Sequence, residues 1–187
     1  MQTVTNDNRK KIRTIDMAYI AIGAVLIAIC SWISIPVVVP FTLQTFAVFF
    51  LIMLLGGMKA TISVFIYILV GAVGLPVFAG FGAGIGVLFG KTGGYIIGFL
   101  LMGPLYSLIT KCFGKKLWVQ ITALAAGLIV CYTFGTAWFM YIYMRDTGEV
   151  GLISVLSWCV FPYIIPDAVK MALAVFISKK FGKRLYH

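Results

Sequence analysis

Apolar residues run through most of this chain without the alternation that marks a half-buried strand, and short polar or glycine-rich breaks divide the runs. The first covers residues 15–35 and ends at Pro36 and Pro40. The second, 42–55, is short for a membrane span, and Gly56, Gly57, Met58 and Lys59 form a turn after it. A third covers 60–74, and a glycine-rich stretch, 75–94, follows. Runs at 95–109 and 117–143 come next, then a polar connection at 145–149. Residues 152–161 read as a short helix. A last helix starts between Pro162 and Pro166 and ends near Phe181, because proline is tolerated in a first turn and not deeper. About 20 apolar residues cross a bilayer as a helix. The expectation is an all-α integral membrane protein, one transmembrane domain over 1–187 with six spanning helices. A β-barrel would show short alternating segments instead.

Composition supports that class. With 62% hydrophobic and 11% charged residues and a mean hydropathy of +1.08, a soluble domain of 187 residues could not hide its apolar surface. The net charge of +10 would suggest nucleic acid in a soluble protein. Here the basic residues flank apolar runs, where they orient helices and meet anionic lipid head groups. Six spans put all but Lys91, Arg145 and Lys170 of the 15 basic residues on one side, which the positive-inside bias makes cytoplasmic. Both termini are then cytoplasmic: 1–13 is a basic leader, 182–187 a tail, and 75–94 an outer loop. The polar start and apolar run resemble a signal peptide, but the run is too long and lacks an A-x-A site, so it reads as a retained first helix. Cys30, Cys112, Cys131 and Cys159 show no CxxC spacing and read as packed thiols.

Candidate chemistry is sparse and therefore pointed. Asp167 and Lys170 stand three apart inside the apolar run 152–177, and the other four of the five acidic residues lie in polar ends or loops. Charges at bilayer depth are expensive and mark either a functional site or an internal ion pair. Lys170 shares a helical face with Asp167, and the helix dipole favours a carboxylate so near the start. Gln44, in the second run, carries an amide that needs partners, while Thr42 can cap that helix. The glycine-rich stretch contains Gly90-Lys91-Thr92 but lacks a glycine five places earlier, where Ile85 stands, so it is no nucleotide loop. It is a linker or a loop that folds over a ligand, with Lys91 a candidate for an anionic group. Ala24 and Ala28, with Gly23, make a small-residue face on the first helix, suited to internal packing or to a partner helix. The lone histidine, His187, builds no catalytic or metal constellation, so neither enzyme activity nor a cofactor is expected.

At Pro40-Phe41-Thr42-Leu43-Gln44-Thr45, Gly71-x-x-Gly74-Leu75-Pro76-Val77-Phe78, the glycine run to Gly90-x-Thr92-Gly93-Gly94-Tyr95, and Pro166-Asp167-x-x-Lys170, the chain resembles the BioY family. These are biotin-specific substrate-binding subunits, the S components, of energy-coupling-factor (ECF) vitamin transporters. The resemblance covers most of the chain, with one departure: Lys91 stands where the family pattern has proline. It implies six helices in a prokaryotic plasma membrane, biotin captured on the outer side, and no ATP hydrolysis by this chain. It also implies partners: a transmembrane coupling protein, docked through a face like Ala24 and Ala28, and two cytoplasmic ATPase subunits. Biotin suits the residues. Its ureido N–H groups fit Asp167, its oxygen and carboxylate fit Lys170, and its rings and chain fit Phe41, Phe78, Phe81 and Tyr95, with Gln44 and Tyr95 as further contacts. Two other readings stay open on the residues alone: a self-sufficient small transporter, or a structural membrane protein with Asp167 and Lys170 as an internal bridge.

Overall fold

The computed structural model describes residues 13–185. Helix α1 (Thr14–Trp32) is tied down at its start: Asp16 accepts the Arg13 backbone N–H at 3.4 Å and the Lys59 ammonium at 2.8 Å. A two-residue antiparallel pairing, β1 (Ser34–Ile35) with β2 (Phe41–Thr42), closes the proline loop and delivers the chain to α2 (Gln44–Leu55). Gly56, with φ of 85°, makes the break to α3 (Gly57–Ala72), a backbone form that a side chain would resist. The turn expected over four residues is thus a single residue, and Gly57 already belongs to α3.

The glycine-rich stretch is folded, with a 3₁₀ turn (Ala79–Phe81) and a one-turn helix, α4 (Ile85–Leu88). It is fastened at several points. Ser31 donates to the Val77 carbonyl, Trp32 Nε1 to the Pro76 carbonyl at 2.8 Å, and Trp138 Nε1 to the Gly90 carbonyl at 3.0 Å. Gly71 leaves room for the ring of Phe78, where a Cβ would collide.

Three long helices and one short one complete the described chain: α5 (Gly93–Phe113), α6 (Leu117–Thr147), the short α7 (Leu152–Cys159) and α8 (Phe161–Leu185). Two boundaries differ from the sequence reading. Helix α6 runs through Arg145 and Asp146, expected in a polar connection, and stops only at Gly148 with φ of 107°. Helix α8 starts before both prolines, so Pro162 sits in its first turn and Pro166 inside it. Pro166 has no N–H to offer the Pro162 carbonyl four residues back, so α8 lacks one hydrogen bond near its start.

Helix α2 is the innermost element. Seven of its 12 residues are buried, and Ala47, Val48 and Phe49 are fully so, in a helix packed chiefly against α8, α3 and α1. Helices α3 and α5 cross with backbones in contact, because a Cβ on Gly57 would strike the Gly103 carbonyl and one on Gly103 would strike Thr61. Outward faces stay apolar: Ile22 (64% exposed), Val25, Ile29 and Phe176 (70%) face away from the chain. Four helical stretches are long and apolar enough to cross a membrane: Thr14–Trp32, Gly93–Phe113, Leu117–Thr147 and Leu152–Phe181. Helices α2 and α3 are apolar but shorter. This is a multi-pass helical membrane protein.

The small-residue face of α1 is not free. Ala24 and Ala28 are buried in the chain's own core, and a Cβ on Gly23 would meet Ser63 of α3 and Leu51 of α2. Of the two uses expected of this face, the structure shows the internal one: close packing of α1 on α2 and α3 by Ala24 and Ala28.

Candidate functional site

One cavity, about 110 Å³, lies among α2, α5, α6, α8 and the folded glycine-rich loop. Its polar floor is built from α2 and α8. Helical spacing puts Asp167 and Lys170 on one face of α8, and their side chains join at 2.8 Å with 3% and 7% exposure. Asp167 is seventh in a helix that begins at Phe161, past the turn where the dipole acts. Direct donors hold its charge instead: Thr45 of α2 at 2.9 Å and Lys170 on Oδ1, and the Tyr132 hydroxyl of α6 on Oδ2.

Lys170 is equally engaged. Its ammonium donates to the Thr42 carbonyl at 2.7 Å, to Thr45 Oγ1 at 3.1 Å and to Asp167, and lies 4.1 Å from the centre of the Phe41 ring. A buried pair survives only when its remaining hydrogen-bonding positions are met, and β2 and α2 supply that here. The Thr42 hydroxyl accepts the Gln44 backbone N–H at 3.2 Å, close to the capping role expected of it.

Gln44 is the opposite case. It is buried and lines the cavity, yet its Nε2 has no hydrogen-bond partner among the described residues. An orphaned buried amide is a substantial penalty unless something else binds it. Apolar and aromatic walls complete the cavity: Phe78 and Ala79 from the loop, Tyr95 and Phe99 from α5, Cys131 from α6 and Tyr163 from α8. Gly135 lets the Tyr95 ring lie flat against α6, and the Tyr95 hydroxyl pairs with Thr136 at 3.1 Å.

Of the residues singled out from sequence, Asp167, Lys170, Gln44, Phe78 and Tyr95 line this cavity together. Phe41 stands behind it, against Lys170 and stacked on Tyr163. Lys91 does not reach it: its ammonium sits 4.8 Å from the Tyr143 ring centre, on the α6 side of the loop. Phe81 stacks on Trp32, exposed and outside the cavity lining. Thr45 and Tyr132 were missed. Thr45 lay inside a quoted motif, next to Gln44. Tyr132 gave no signal beyond a hydroxyl in an apolar run.

A helical membrane protein whose cavity has a charged and amide floor and apolar walls belongs to the class that holds a small polar-headed molecule within its bundle. Its family follows from comparison. The BioY family matches residues 4–187, and the chain belongs to it. It is 36% identical over 159 residues to the biotin transporter BioY of Thermotoga maritima, covering 84% of this chain and 90% of that one. It is 36% identical to the probable biotin transporter BioY of Pyrococcus horikoshii, covering 88% and 94%. It is also 31% identical to the biotin transporter BioY2 of Lactococcus lactis, covering 91% and 92%. The fold is similar to a crystal structure of the S-component for biotin from an ECF-type ABC transporter, with a TM-score of 0.77, 27% identity, and 90% and 91% of the two chains covered.

Proposed function

We propose that this chain captures biotin from the outer side of a prokaryotic plasma membrane and passes it inward as the substrate-binding subunit of an ECF-type importer. The carrying observation is the cavity floor, where a held carboxylate, Asp167, lies beside an unpartnered amide donor, Gln44. A ureido group presents N–H donors and a carbonyl acceptor side by side. Asp167 takes an N–H, and Gln44 Nε2 gives its free N–H to the carbonyl. The fused rings and chain meet Phe78, Tyr95 and Phe99.

Lys170 balances Asp167 and, by exchanging one of its three acceptors, can also meet a ligand oxygen. The tail carboxylate is assigned to Lys91. Its present contact with Tyr143 is an exposed cation–π interaction of about 0.5–1 kcal/mol, which a charge-assisted hydrogen bond can replace. The four long spans together with α2 and α3 make six membrane helices, and both termini are cytoplasmic. A transmembrane coupling protein and two ATPase subunits supply the energy, as the likeness to the ECF biotin S-component supports.

Titration calorimetry of biotin against the detergent-purified chain, with an unrelated vitamin as control, tests the first part. Saturable binding at nanomolar to low-micromolar concentration of biotin alone is expected. A folded chain that takes up no heat of binding would sink the ligand assignment. Uptake by cells with and without the coupling protein and ATPases tests the second part, and equal uptake in both would overturn it.

A further inference from the structure

Tyr132 stands between two spaces. It lines the ligand cavity, and it also lines an apolar groove of about 460 Å³ formed with Leu128 and Ile129 of α6, Leu156 of α7 and Ile164 and Met171 of α8. No other residue is shared by the two linings. Its ring is therefore the partition between them, and its hydroxyl reaches through to Asp167 Oδ2.

The carboxylate's acceptor positions can be counted. A carboxylate has about four. Thr45 and Lys170 occupy the two on Oδ1, and Tyr132 occupies one on Oδ2. One position on Oδ2 remains. The three donors come from α2, α6 and α8, so the carboxylate cannot swing without breaking a bond to another helix. We propose that Tyr132 is a positioning residue: by filling one side of Oδ2 and fixing the carboxylate plane, it leaves Asp167 a single acceptor aimed at one ligand N–H. This rests on the reading that Asp167 receives a ureido N–H. It adds a residue on the membrane-facing wall whose whole effect passes through Asp167.

Tyr132→Phe is the direct test, because it keeps the partition and removes only the hydroxyl. Biotin affinity measured by calorimetry should fall about tenfold, the size of one hydrogen bond to a charged group. In an Asp167→Asn background the same change should alter affinity by less than about twofold, since the two residues act as one unit. Equal losses in both backgrounds would mean a merely structural tyrosine and overturn the proposal. A second readout needs no ligand. The infrared carboxylate band that disappears in Asp167→Asn should shift in Tyr132→Phe, and an unmoved band would overturn the proposal. If Tyr132→Phe does not fold, 3-fluorotyrosine at position 132 replaces it; this isosteric, stronger donor should also shift the band, and no shift rejects the role. Wild-type protein that fails to bind biotin would remove the ligand reading, and the infrared band would then decide the role of Tyr132 by itself.

Discussion

Lys170 has three N–H bonds and all three are used: on the Thr42 carbonyl, the Thr45 hydroxyl and Asp167. Among the described residues the charges of the cavity floor balance and its polar groups are nearly self-satisfied, with Gln44 Nε2 the exception. On the proposed reading a ligand enters mostly by exchanging partners. Asp167→Asn tests both sides of that arrangement. Biotin affinity should fall by about 1–3 kcal/mol, the worth of a buried hydrogen bond to a charged group, read by titration. Stability should fall as well, by about 3–5 kcal/mol, because a buried ammonium is left without its counter-ion, read by thermal unfolding in detergent. Unchanged affinity in a folded variant would reject the role of Asp167. Asp167, Lys170 and Gln44 were legible in the sequence because a charge or an amide inside an apolar run demands an explanation. Tyr132 was not. The chain has nine tyrosines, and which of them meets the carboxylate depends on how α6 lies beside α8, a fact no local pattern carries. The resting contact of Lys91 was not legible for a related reason: a loop lysine is aimed by the loop's fold, and here the loop aims it at Tyr143.

The apolar runs announced every long helix, yet their ends were read less well. A polar pair such as Arg145 and Asp146 looks like a loop in sequence, but both can extend a helix into water until a glycine stops it, as Gly148 does for α6. The one-turn α4 was invisible because four residues flanked by glycines have no period to detect. Glycine pairs carry information of another kind. Gly57 and Gly103 let α3 and α5 touch through backbone, a contact that sequence spacing alone could not assign. Gly103→Ala should push these helices apart and lower stability by about 1–3 kcal/mol, as overpacked sites do. Thermal unfolding in detergent checks it, with Gly114→Ala, which has nothing within 4 Å but a φ of 84°, as the comparison for pure backbone strain. A Gly103→Ala chain as stable as wild type would show that the crossing is not tight.

The arrangement of the bundle in its membrane rests on where the lysines fall. In a cysteine-free background, Lys91→Cys should react with a membrane-impermeant thiol reagent in intact cells, and Lys180→Cys should react only after the cells are opened. Both positions are exposed, so accessibility is decided by side alone. Reversed labelling would invert the orientation and put the cavity on the wrong face. The helical, multi-pass class was readable because the apolar runs are long and charge clusters punctuate them. The second apolar run already read as short for a span, and the structure gives the size of the shortfall. At 12 residues, α2 is about 18 Å long, against a hydrocarbon core of about 30 Å. It falls some two turns short, and the cavity lies at its first turn, at Gln44 and Thr45. On the proposed reading, the ligand takes the place of helix turns that are absent. Inserting one helical turn ahead of Gln44 would fill the vacancy with protein.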